Sequence, residues 1–79
     1  MDYRNWVIEW FENHSTASRE QIMENLDKNY FDLSYIDSFQ FIELISDIEE
    51  IGIELGNDQF EDRNFATING LIGILEQMK

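Results

Sequence analysis

The residues Ser34-Tyr35-Ile36-Asp37-Ser38-Phe39-Gln40-Phe41-Ile42-Glu43-Leu44-Ile45 read as the start of a helix, and the rest of the chain is organised around them. Asp37 precedes Gln40 by the spacing of a capping box, in which each side chain satisfies the other's free backbone N–H. Ile36 before the cap and Phe41 in the helix are placed as a hydrophobic staple. Ser38 then falls in the first helical turn with its hydroxyl toward water. A phosphate attached there lies at the positive end of the helix dipole, beside unpaired N–H groups.

Downstream of Ser38 the helix separates into two faces and runs to about Ile51. At ~100° per residue, Phe41, Leu44, Ile45, Ile48 and Ile51 gather on one side. Phe39, Glu43, Asp47 and Glu50 gather on the other, where like charges one turn apart cost roughly 0.2–0.5 kcal/mol per pair. No lysine or arginine in this helix offsets them. Taken alone, such a face is a solvated surface. Gly52 is placed to end the helix, since glycine adopts positive φ freely.

Asp-Ser-Phe behind Tyr35-Ile36 and ahead of an acidic, Ile/Leu-rich helix resembles the phosphopantetheine attachment motif of acyl and peptidyl carrier proteins, whose commonest form is Asp-Ser-Leu. The resemblance covers nearly the whole chain and is strongest from Phe31 to Leu55. It implies an all-α, acyl-carrier-like four-helix bundle with a long loop between helices 1 and 2 and a short third helix. It implies that Ser38 carries 4′-phosphopantetheine covalently, with Asp37 supporting the magnesium ion used during transfer. It implies, too, that Phe39, Glu43, Asp47 and Glu50 meet the basic surfaces of partner enzymes. Those partners are a phosphopantetheinyl transferase, an acyl- or aminoacyl-loading enzyme and downstream synthases. Ser34 stands where many stand-alone carriers have glycine. Ile53-Glu54-Leu55 resembles the segment that closes the second helix in the family.

The other segments support this outline. Asp2 caps a first helix to about residue 13, with Tyr3, Trp6, Val7, Trp10 and His14 on one stripe. His14, the single histidine, falls near that helix's C-terminus, where the dipole favours a cation, and its role reads as structural. Ser18 and Gln21 repeat the capping-box spacing and open a short helix that points Ile22, Met23 and Leu26 inward. Residues 27–35 form an irregular connection pinned by Tyr30, Phe31 and Leu33. Gly56 to Asp58 reads as loop, and Phe60 through Phe65 resembles the family's short third helix. Thr67 caps a last helix that carries Ile68, Leu71, Ile72, Leu75 and Met78 inward. Gly70 and Gly73 each weaken that helix by ~1 kcal/mol against alanine. Close helix packing or room for an attached chain would compensate.

Composition bounds the function. The 79 residues make one domain, residues 1–79, near the lower size limit for a core without staples. A hydrophobic fraction of 43% with six Phe, three Tyr and two Trp supplies that core, and proline is absent. Without cysteine there is no disulfide and no thiolate zinc site. No signal peptide or bilayer-spanning run is read, so a cytoplasmic monomer is expected, with no membrane insertion. The net charge of −12 repels nucleic acid and attracts basic protein surfaces. An enzyme is disfavoured: adjacent Asp37-Ser38 with one distant histidine makes no triad. No EF-hand loop occurs, and no metal site is expected. The rival of another class is an acidic helical adaptor without prosthetic group. Within the carriers, the acidity favours a discrete acyl carrier of fatty-acid, polyketide or secondary-metabolite type, with an aminoacyl, peptidyl or D-alanyl carrier second.

Overall fold

The computed structural model describes residues 2–78 and contains only helices and connections among them. In chain order they are α1 (Tyr3–His14), α2 (Arg19–Glu24), α3 (Ser38–Glu50), α4 (Asn57–Glu61), a 3₁₀ turn (Arg63–Ala66) and α5 (Ile68–Met78). The expected bundle is α1, α3, short α4 and α5, and α2 lies within the long connection before α3. The fold class stands as read.

Each helix start is made by its local sequence. Asp2 accepts from the Asn5 N–H at 3.1 Å and caps α1. Ser18 and Gln21 form a capping box on α2, and Asp37 and Gln40 form one on α3. Thr67 Oγ1 accepts from the Gly70 N–H at 3.0 Å and caps α5. The end of α3 is a Schellman turn: the Gly52 N–H donates to Glu49 O and the Ile53 N–H to Ile48 O. Gly52 takes φ 94°, the left-handed conformation this turn requires. Ser34 has φ 60°, so the connection bends back there through the left-handed region.

The core is lined by Val7, Ile8, Trp10 and Phe11 of α1, Ile22 of α2, Leu44 and Ile48 of α3, and Ile68, Leu71, Ile72, Ile74 and Leu75 of α5. Phe41, Ile45, Ile51 and Met78 pack on it from its edge, on the faces the periodicity gave them. Four expectations need correction. The buried stripe of α1 is centred on Val7 and Phe11, so Tyr3 and Trp6 are only partly covered. Met23 is 44% exposed, because α2 is too short to turn two adjacent positions inward. Phe31 remains exposed, though its ring meets Tyr30 at 5.0 Å and Phe41 at 5.2 Å. Helix α4 begins at Asn57, where loop was expected, since Gln59 Oε1 accepts from the Gly56 N–H and closes the first turn.

Tyr30 anchors the long connection. Its backbone N–H donates to Ala66 O at 3.0 Å, its side chain is fully buried, and its hydroxyl donates to Phe65 O. Asn29 and Thr67 form an antiparallel bridge beside it, and the Asn69 N–H donates to Leu26 O. Burial pushes the Tyr30 phenol well above its ordinary range. An unfolded tyrosine ionises near pH ~10. Its contribution is therefore complete below that pH and is lost as pH rises toward the folded value, by up to about 1.4 kcal/mol per pH unit. Urea unfolding between pH 8 and 11 is expected to show this slope. Tyr30→Phe, which leaves Phe65 O without its donor, is expected to lose about 1–3 kcal/mol at neutral pH and to flatten the slope.

Candidate functional site

The expected attachment residue, Ser38, is the first residue of α3 and is exposed. Its side chain makes no hydrogen bond among the described residues. The capping box accounts for its surroundings: the Gln40 N–H donates to Asp37 Oδ1 at 2.9 Å, and the Asp37 N–H donates to Gln40 Oε1 at 3.0 Å. The backbone N–H groups of Ser38 and Phe39, in the first turn, are left for a ligand or water. Asp37 is thus held by its capping role and is exposed beside Ser38.

The position of this turn is set from α1. Gln40 Nε2 donates to His14 O, so the residue that closes the capping box also ties the start of α3 to the end of α1. Two turns further along α3, Trp10 Nε1 donates to Asp47 Oδ2 at 2.8 Å. His14 stacks on the Trp10 ring at 4.1 Å, donates from Nδ1 to Trp10 O at 2.8 Å, and brings Nε2 to 3.6 Å from Glu43 Oε1. The acids of α3 were expected on a solvent face. Glu43 and Glu50 are exposed, but Asp47 is half-buried and engaged with Trp10. Periodicity assigns a residue to a side of its own helix, whereas a neighbouring helix decides whether that side is covered.

The open side of α3 next to Ser38 is apolar. Phe39 is 82% exposed and Ile42, which the sequence reading did not single out, is 66% exposed. The two stand three residues apart on one helix face, with Glu43 adjoining. The signal that finds Ile42 is its position outside the inward set Phe41, Leu44, Ile45 and Ile48. The residues present suit a phosphodiester at Ser38: an accessible hydroxyl, free N–H donors at the N-terminus of a 13-residue helix, and a neighbouring carboxylate already occupied by a backbone N–H. No helix among the described residues is long and apolar enough to cross a membrane.

No family model matches the chain, and no solved structure matches it. Among curated proteins it is similar to the D-alanyl carrier protein of Staphylococcus saprophyticus, with 30% identity over an alignment of 80 residues that covers 100% of both chains. With a helical bundle of the expected order and a likeness that extends from end to end, the chain belongs to the family of small acyl and peptidyl carrier proteins.

Proposed function

We propose that this carrier protein holds its cargo on a 4′-phosphopantetheine arm joined to Ser38 Oγ, and that the cargo is D-alanine or a similar small amino acid. The observation that supports the attachment point is the exposed, unengaged Ser38 hydroxyl at a rigidly capped helix start. The bound group supplies a terminal thiol on which cargo rides as a thioester. The chain's own part is to hold Ser38 accessible and to stabilise the attached phosphate through the first-turn N–H groups. Asp37 keeps the helix start fixed and, by family resemblance, supports the magnesium ion used by the phosphopantetheinyl transferase. Tethering raises the cargo's local concentration at each partner. No catalytic residue is assigned to this chain.

The cargo reading rests on the full-length likeness to a D-alanyl carrier. The net charge of −12, which favours a fatty-acid or polyketide acyl carrier in the sequence, bears on which partners dock more than on what is carried. Intact mass after incubation with coenzyme A, magnesium and a broad-specificity transferase tests the arm. Loading of the product with D-alanine and ATP by an enzyme that charges D-alanyl carriers tests the cargo. Transfer of a fatty-acyl group in preference to D-alanine would return the choice to the acyl class.

The docking face proposed for partner enzymes is Phe39 with Ile42, flanked by Glu43 and Glu50. Asp47 contributes less to it than its position suggests, because its carboxylate is held by Trp10. Phe39→Ala is expected to weaken partner affinity about tenfold while leaving helicity unchanged, as the ring is free of the core. Steady-state kinetics of the loading enzyme against carrier concentration reads this as a raised KM.

A further inference from the structure

The polar cluster at the crossing of α1 and α3 has the composition and support of a metal site. We propose that His14, Glu43 and Asp47 bind one borderline divalent cation of the zinc class. Each offers one ligand atom, and these atoms lie within 4.8 Å of one another. One pair of them, His14 Nε2 and Glu43 Oε1, is 3.6 Å apart. Ligand bonds of about 2.0–2.2 Å in a tetrahedral site place donors roughly 3.3 Å apart, so small side-chain movements close the cluster.

The supporting groups single out this cluster from the chain's other acids. His14 Nδ1 donates to Trp10 O, which leaves Nε2, on the side of Glu43, as the ring atom available to a metal. Trp10 also donates from its indole N–H to Asp47 Oδ2, fixing that carboxylate while leaving its second oxygen available. One residue thus orients two prospective ligands from opposite ends, through its carbonyl and its ring. Glu43 and Asp47 are one turn apart on α3, a spacing at which their charges repel in the free protein. A divalent cation turns that repulsion into attraction, and two carboxylates neutralise its charge. Imidazole among the ligands selects zinc-class ions over magnesium or calcium, which prefer all-oxygen sites. His14 is 27% and Glu43 54% exposed at the side chain, so an ion can enter and a water can complete its coordination.

The test uses the untagged Ser38→Ala chain, which contains no thiol because the sequence has no cysteine. Zinc chloride is titrated into it by calorimetry, with tryptophan emission followed in parallel because Trp10 touches two of the ligands. One equivalent is expected to bind. At zinc 100-fold above the dissociation constant, the melting temperature is expected to rise by about 10 °C or more. Glu43→Gln, at an exposed position, and His14→Gln, checked for helicity, are each expected to weaken binding at least tenfold. Glu49→Gln, another acid of α3 outside the cluster, is expected to change it less than twofold. Zinc binding that is unchanged in both ligand variants, or displaced equally by magnesium at the same concentration, would assign the ion to the acidic surface at large and overturn the proposal. An absence of any heat or thermal shift would overturn it as well.

Discussion

Ser38→Ala is expected to abolish phosphopantetheinylation outright while leaving the fold intact. The two halves of this expectation rest on separate observations. The hydroxyl is the proposed nucleophile, and its removal leaves no other oxygen in that turn suited to attack: the Asp37 side chain is tied to the Gln40 N–H, and Gln40 is itself engaged at both ends of its amide. Stability should hardly move, because Ser38 is exposed and contributes no hydrogen bond among the described residues. Alanine is also a better helix former than serine by a few tenths of a kcal/mol. Intact mass after transferase treatment reads the first half, and a urea unfolding curve reads the second. A mass gain that persists in Ser38→Ala would move the arm to another residue. An unfolding free energy that falls by more than about 1 kcal/mol would give the serine a structural role that its exposure does not suggest.

The second large effect is expected at Gly70, and its contrast with Gly73 separates two explanations that the sequence leaves open. A Cβ at Gly70 would lie 2.0 Å from Asn64 O and 2.6 Å from Asn64 C, both backbone atoms. That carbonyl also accepts from the Thr67 N–H and hydroxyl at the start of α5. Room for the methyl therefore requires the 3₁₀ turn to move, and with it buried Phe65 and the acceptor of the Tyr30 hydroxyl. Gly70→Ala is expected to destabilise by about 2–3 kcal/mol, overpacking outweighing the gain in helix propensity. At Gly73 nothing lies within 4 Å of the added Cβ, so Gly73→Ala is expected to stabilise by up to about 1 kcal/mol. Parallel thermal or urea melts of the two variants give opposite signs if this account holds. Close packing thus explains Gly70, and the need for it is local to the approach of the 3₁₀ turn.

Ser38 is positioned by the capping box within α3 and by Gln40 and Trp10 reaching between α1 and α3. The turn that bears Ser38 is therefore braced on the first helix, in a protein whose long connection is braced separately on α5 through Tyr30.

The sequence by itself determined the main helices and the capped helix start that bears Ser38. Capping boxes at Ser18 and Asp37, the cap at Thr67 and the glycine stop at Gly52 are interactions among residues a few positions apart, so spacing suffices to read them. The inward faces of α3 and α5 were legible for the same reason, since helical periodicity is a property of one segment. Ser38's exposure follows from its place in the first turn.

Only the tertiary structure decided what those faces meet. Asp47 has the sequence position of a solvated acid, yet Trp10, 37 residues away, claims its carboxylate. Gln40's second bond, to His14 O, spans 26 residues, and the Tyr30–Phe65 bond spans 35. No periodicity encodes such pairings, because they depend on how helices cross and not on how each one turns. Met23 and Phe31 are exposed for a related reason: a short helix and an irregular connection bury only what the neighbouring helices leave room for. The clustering of His14 with Glu43 and Asp47 belongs to the same class. In the sequence His14 lies on the apolar stripe of α1 and the two acids on the outer face of α3, and the three become neighbours only at the crossing of the two helices.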